Sequence, residues 1–197
     1  MEQRGTVAAV VAAAGLSSRM GAFKPLLPFD GTVVIRRCVN NLLQAGAAEI
    51  VVVTGYRGDE IAAALSDCPV RLLRNPGYAD SQMFDSICLG LKALTDRCEK
   101  ILITPGDVPW VSSALIRSML TLDADFVCPR LNGQRGHPVV LTADKLPALL
   151  AWQGDGGLRG AVEALGLTTA FADTSEVGIT IDLDTPEDYC HLLKLHP

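Results

Sequence analysis

Residues Val10 to Lys24 read VVAAAGLSSRMGAFK, and this stretch decides the fold. It begins inside an apolar run, Val7 to Ala14, and then switches abruptly to small and cationic residues. The unbroken apolar character of Val7–Ala12 predicts a parallel strand covered on both faces. Ala12, Ala13, Ala14 and Gly15 carry little or no side chain, so a ligand can approach that backbone closely. Backbone N–H groups in a small-residue loop after a strand form a nest for anions. Ser17 and Ser18 add hydroxyls, and Arg19 and Lys24 add positive charge, which together mark a phosphate site. The loop is neither of the two commoner phosphate loops. The P-loop pattern G-x-x-x-x-G-K-[ST] fails because five residues separate Gly15 from Gly21 and Ala22-Phe23 follow the second glycine. The dinucleotide fingerprint G-x-G-x-x-G fails because Gly15 and Gly21 are the loop's only glycines.

Outward from this loop, apolar strands alternate with helical spacing. Val33–Gln44 predicts a helix ended by Gly46, and Ile50–Val53 a second apolar strand. Glu60–Leu65 reads as a helix, Val70–Leu73 as a strand, and Asn75-Pro76-Gly77-Tyr78 as a turn cluster. Ser81–Leu94 predicts a helix, with Met83, Ile87, Gly90, Leu91 and Leu94 along one face. Ile101–Thr104 is a fourth strand, and Ser112 caps a helix that runs to about Leu122. Strands at Asp125–Cys128 and Pro138–Leu141 precede helices near Lys145–Trp152 and Leu158–Leu165. Strands near Ala170 and at Ile179–Ile181 follow, and Thr185-Pro186-Glu187-Asp188 opens a last helix. This alternation implies a parallel-rich α/β sheet in a three-layer sandwich, in which ligands sit at the carboxyl ends of the strands. Residues 1–197 read as one domain.

Composition narrows the function. The chain of 197 residues is 49% hydrophobic and 20% charged, an ordinary globular balance. A net charge of −5 argues against a general nucleic-acid binder. No apolar stretch reaches the length of a membrane span. Arg4 before an apolar run imitates a signal peptide, but cleavage would remove the cationic loop, so the run reads as the first strand. The six cysteines include no C-x-x-C and no zinc-ligand spacing with histidine. Reduced, mostly buried thiols and a cytoplasmic location are the expectation.

Three further places carry chemistry. Asp107 sits in Pro105-Gly106-Asp107-Val108-Pro109 after a buried strand, suited to hold Mg²⁺, which takes few protein oxygens. The same aspartate would also suit an ordinary turn that bonds its own backbone. Asp182 and Asp184 flank Leu183; on a strand they would share a face and offer a second metal ligand, while either can instead serve the following helix cap. Arg135-Gly136-His137-Pro138 offers His137 to a phosphate or second substrate, and Gly154-Asp155-Gly156-Gly157-Leu158-Arg159 is a loop entering a helix. His191 and His196 read as surface residues.

The opening Ala13-Ala14-Gly15-Leu16-Ser17-Ser18-Arg19-Met20-Gly21, with Lys24 and Leu26-Leu27-Pro28, resembles the signature of nucleotidyltransferases. Asn75-Pro76, Met83 with Ser86 and Gly90, Pro105 with Asp107 and Pro109, Gly136-His137-Pro138, Gly154-Asp155-Gly156 with Arg159, and Asp182 through Asp188 follow in order. The ordered set resembles the molybdenum cofactor cytidylyltransferase family over nearly the whole chain. The resemblance implies a Rossmann-like, mostly parallel nucleotidyltransferase sheet. It implies a Mg²⁺-dependent reaction that joins a nucleotide to the terminal phosphate of molybdopterin and releases pyrophosphate. The substrates would be CTP and the molybdopterin cofactor, with a client molybdoenzyme as onward partner and neither nucleic acid nor membrane involved.

By position, the loop with Arg19 and Lys24 would hold the triphosphate through Ala13, Ala14, Gly15, Ser17 and Ser18. Asp107 would bind Mg²⁺ with Asp184, or Asp182, as second ligand. Ser86, His137 and Arg159 would fall in the cofactor half of the cleft. Such transfer needs positioning and charge neutralisation rather than a covalent residue. The related guanylyltransferases usually have Ala-Gly-Gly where this chain has Ala13-Ala14-Gly15, and an Asp where it has Phe23. The methyl of Ala14 narrows the space above the loop and suits a pyrimidine, so CTP is expected over GTP. The family often has Gly-Met where this chain has Gln82-Met83. The competing readings are a guanylyl- or cytidylyltransferase for another phosphorylated acceptor, and a non-catalytic cofactor carrier.

Overall fold

The computed structural model describes residues 6–17, 20–95, 97–181, 183 and 185–195. In chain order the strands are β1 (Val7–Ala13), β2 (Pro28–Phe29), β3 (Thr32–Val33), β4 (Ala47–Thr54), β5 (Arg71–Arg74), β6 (Lys100–Pro105), β7 (Phe126–Leu131), β8 (Gln134–Arg135), β9 (Val139–Thr142) and β10 (Thr169–Asp173). The helices are α1 (Val34–Ala45), α2 (Gly58–Ala64), α3 (Met83–Lys92), α4 (Ser113–Leu120), α5 (Leu146–Ala151), α6 (Gly157–Ala164) and α7 (Pro186–Leu195). The main sheet runs β10-β7-β9-β6-β1-β4-β5. β8 joins it off this path beside β7, and the pairs are parallel except where β9 meets β6 and β7 and where β8 meets β7. The expected mostly parallel sheet with flanking helices is therefore observed.

Alternation along each central strand builds the two covered faces. Ala9, Val11 and Ala13 of β1 join Ile50 and Val52 of β4 and Leu102 of β6 beneath α1, α2 and α4. Val10 and Ala12, Val51 and Val53, and Ile101 and Ile103 point the other way, toward α3, α5 and α6. Each large aliphatic side chain so buried contributes roughly 1.5–3 kcal/mol. Several ends carry the chemistry that the sequence announces. Ser112 Oγ accepts from Leu115 N at 3.0 Å, and Gly46 closes α1 in the left-handed region. Thr185 Oγ1 accepts from Asp188 N at 3.1 Å, while Asp188 Oδ2 accepts from Thr185 N at 2.8 Å.

Two expectations need correction. Ile179–Ile181 is not a strand: a 3₁₀ turn spans Val177–Ile179 and Ile181 is irregular. Among the described residues one ladder-like bond forms there, His137 N to Ile179 O at 3.0 Å, and Ile179 is buried as a plug. The six thiols are free, but only Cys38 and Cys128 are buried; Cys68, Cys88 and Cys98 are half-buried and Cys190 is exposed. Two hairpins were absent from the sequence reading. Asp30-Gly31 and Asn132-Gly133 take positive φ and turn β2 into β3 and β7 into β8. Among the described residues no helix is long and apolar enough to cross a membrane.

Candidate active site

The site follows from strand direction. β1 lies between β4 and β6, parallel to both, so the loops after Ala13, Thr54 and Pro105 leave the same edge of the sheet. Gly106 N donates to Ala12 O at 2.9 Å and fastens the Asp107 loop to the end of β1. A Cβ at Gly106 would stand 2.9 Å from Ala13 Cβ and 2.8 Å from Ile35 Cδ1, so only glycine permits this approach. The cationic loop is anchored by its own apolar residues. Met20 and Phe23 are each 5% exposed, and Phe23 meets Tyr56 edge to face at 5.5 Å. Ser17 Oγ accepts from Lys24 N at 3.2 Å, which turns the lysine back toward the strand end.

A cleft of about 150 Å³, partly open to solvent, results. Ala13, Ala14, Gly15, Ser17, Lys24, Ser86 and Asp107 line it. Lys24 Nζ lies 3.5 Å from Asp107 Oδ2, with the lysine side chain 12% exposed. The first and fourth long strands thus bring together the two groups read from sequence as phosphate and metal contacts. A second cavity, about 440 Å³, adjoins the first and shares Gln82 and Met83 with it. His137, Arg135, Arg159 and Phe84 line this one. Ser86 therefore lies with the loop, and His137 and Arg159 lie across the shared wall. Arg159 Nε donates to Glu163 Oε1 at 2.9 Å, and Arg135 comes within 3.8 Å of the same oxygen. Ser18, Arg19, Asp182 and Asp184 lie outside the described residues.

Thiol chemistry is silent here. Burial pushes the Cys38 thiol far up, and the Asp107 carboxylate raises it further. Burial also raises Cys128, which lines the second cavity. Both stay protonated at neutral pH and supply no nucleophile. Among the described residues no group of three or more His, Cys, Asp or Glu side chains is arranged to hold a metal ion. Asp107 fits Mg²⁺ without such a group, because that ion binds through one or two carboxylates plus substrate phosphates and water. Tyr78 and Ser81 line the first cavity and Arg135 the second, though none was singled out as a site residue in the sequence. The turn cluster Asn75–Tyr78 was the available signal for the first pair.

A small-residue loop and an acidic loop leave adjacent parallel strands at one edge of the sheet, in a nucleotidyltransferase fold. Residues 9–169 match the MobA-like NTP transferase domain, and the chain belongs to that family. It is 30% identical over 183 residues to a molybdenum cofactor cytidylyltransferase of Escherichia coli, covering 91% of this chain and 92% of the relative. It is 28% identical to a nicotine blue oxidoreductase of Paenarthrobacter nicotinovorans, covering 95% of this chain and 96% of that one. The structure superposes on a nucleotidyl transferase from Methanothermobacter with a TM-score of 0.84 at 29% identity, covering 96% and 97% of the two chains.

Proposed function

We propose that the protein transfers a cytidylyl group from CTP to the terminal phosphate of the molybdopterin cofactor, releasing pyrophosphate. The observation that carries this reading is the pair of adjoining cavities. One holds Lys24 beside Asp107, and the other, reached across Gln82 and Met83, holds His137 and Arg159. Such adjoining cavities would suit a nucleotide and an acceptor side by side. Similarity along nearly the full length of the Escherichia coli cytidylyltransferase supports the choice of substrates.

In this reading the backbone of Ala14 and Gly15 cradles the triphosphate, and Lys24 exchanges its contact with Asp107 for phosphate oxygens. Arg19 adds charge to the same loop. Asp107, with Asp184 or Asp182 as partner, would hold Mg²⁺, and the bound ion would supply neutralisation of negative charge on the α-phosphate and the leaving pyrophosphate. Lys24, freed from Asp107, shares that task at the moment charge builds up. The wall of the second cavity orients the acceptor so that its phosphate faces the α-phosphorus in line. No covalent residue is needed.

The test is pyrophosphate release with Mg²⁺ from CTP, GTP, ATP and UTP, with and without molybdenum-loaded cofactor. Release with CTP and cofactor together is expected. Release with GTP instead moves the assignment to guanylyl transfer. Cofactor binding without release from any nucleotide refutes an enzyme of this class and favours a carrier. The full-length similarity to an oxidoreductase raises a second reading, in which the cavities serve a redox reaction. Nucleotide-dependent pyrophosphate release separates the two directly.

A further inference from the structure

The turn between β4 and α2, Gly55-Tyr56-Arg57, contributes no residue to the cleft lining among the described residues, yet it touches the cationic loop at both ends. Tyr56 N donates to Ala14 O at 3.4 Å, where the loop leaves β1. A Cβ at Gly55 would stand 2.6 Å from the same oxygen, so glycine permits this approach. Where the loop closes, the Tyr56 ring meets Phe23 edge to face, with the ring planes at 84°. Arg57 takes the left-handed region at φ 50°, which residues other than glycine usually avoid. From there its guanidinium lies 5.3 Å from the centre of the Phe23 ring and pairs with Glu60 of α2. Phe23 is thereby held by a ring edge, a cation and the core beneath α1 and α2.

Phe23 directly precedes Lys24. Leu26 N donates to Phe23 O and Leu27 N to Lys24 O, each at 3.1 Å, so one tight 3₁₀ turn carries both residues. A shift of the Phe23 ring therefore moves the backbone from which the Lys24 side chain reaches Asp107. Tyr56 itself is 40% exposed and adds little to the core; what it holds is Phe23. Small misplacements of a group that must meet charge are expensive in rate and affinity. We propose that Tyr56 and Arg57 are positioning residues that, through the ring of Phe23, set the reach of the Lys24 ammonium toward a triphosphate. This rests on the reading of the loop as the triphosphate site.

Tyr56→Ala removes the ring outside the cleft and leaves the lysine in place. The probe is inorganic tripolyphosphate, titrated calorimetrically into the full chain. Lys24→Ala is expected to weaken its binding about tenfold or more, as for a hydrogen bond to a charged group. Tyr56→Ala is expected to weaken it about three- to tenfold, the equivalent of one aromatic pair. Tyr56→Phe keeps the ring and should stay within about twofold of the wild type. In the Lys24→Ala background Tyr56→Ala should change affinity by less than about twofold, because the ammonium it acts through is gone.

Equal weakening in both backgrounds would assign the effect to the loop backbone and overturn the proposal. So would unchanged affinity in Tyr56→Ala, or no saturable tripolyphosphate binding by the wild type. A lowered melting temperature without dependence on Lys24 marks a structural role alone and overturns it as well. Should Lys24→Ala bind too weakly to titrate, the NMR signal of the Lys24 Cε methylene is read instead. It must move in Tyr56→Ala and stay in place in Tyr56→Phe, or the proposal falls. Should Tyr56→Ala fail to fold, Arg57→Gln must weaken binding in the presence of Lys24 and not in its absence, or the proposal falls. Pyrophosphate release is read separately. Its absence with the binding pattern intact refutes the transfer reading, and its presence with the pattern absent refutes the role of Tyr56 and Arg57.

Discussion

Gly90→Ala should destabilise the protein, against the ordinary preference of helices for alanine. Gly90 lies in α3 where that helix crosses β1 and β4. A Cβ there would stand 2.5 Å from Val10 Cγ1 and 2.9 Å from Val53 Cγ2. Carbon atoms rest comfortably at about 3.5–4.0 Å, so about 1 Å of retreat is required. Neither valine can provide it: both are 0% exposed and sit on adjacent paired strands. The helix must move instead. Overpacking of this severity costs about 2–3 kcal/mol. Alanine returns about 1 kcal/mol of helix propensity. The net loss is then about 1–2 kcal/mol, or a fall in Tm of about 2–8 °C for a chain of this size. Thermal unfolding followed by circular dichroism at fixed pH reads this directly. A rise in Tm would show that propensity alone operates at this position, and the close seating of α3 on the sheet would be wrong.

Other consequences follow from the same contacts. Lys24→Ala should cut turnover about 10²–10³-fold in the pyrophosphate assay, the usual cost of one donor to developing charge; unchanged rate and nucleotide affinity would remove the lysine from the site. Asp107→Ala should abolish turnover with the fold intact, and full turnover by a folded variant would remove the carboxylate from metal binding. Asp125 accepts from Thr168 N and Thr168 Oγ1, at 2.9 and 2.7 Å, and pairs with Lys145. These bonds, Thr168's first, hold its carboxyl below the ordinary 3.8. A folded value below the unfolded one gives stability that is complete above 3.8 and disappears as pH falls through the lower folded value. Amide exchange at Thr168 should therefore accelerate as pH falls below 3.8, relative to Asp125→Asn; equal acid sensitivity of the two would refute the link. Cys190 should react with a thiol reagent in the native state while Cys38 and Cys128 wait for unfolding; prompt labelling of Cys38 would contradict the packing behind Asp107.

Much of the framework is local and therefore readable in the chain. Apolar runs such as Val7–Ala12 and Ile101–Thr104 have no polar face, which only a strand buried on both sides tolerates. Caps at Ser112 and Thr185 and the stop at Gly46 are short-range bonds, fixed by one or two neighbouring residues. The hairpin turns Asp30-Gly31 and Asn132-Gly133 were equally local and passed unread because their strands are only two residues long in β2, β3 and β8. The Ile179 segment misled for the opposite reason. An Ile-Thr-Ile triplet looks alike as a strand or as a plug, and only packing decides.

The site divides along the same line. From sequence alone came a small-residue loop after the first strand, a proline- and glycine-flanked turn that carries Asp107, and the family to which their order belongs. Those are properties of residue type and spacing. Tertiary structure alone decided that Lys24 and Asp107 meet at 3.5 Å, because parallel pairing of β1 with β6 brings together residues 83 positions apart. It also decided that Phe23 and Met20 are anchors buried in the core, that Ser86 sits with the loop, and that Gln82 caps α3 while walling two cavities. The amide of Asn75 reads as a turn residue in the chain; its contacts with Ser81 and Ser86 exist only because the end of β5 is folded against the start of α3. Residue type sets what each group can donate or accept, but the direction in which it does so is set by distant segments packed around it.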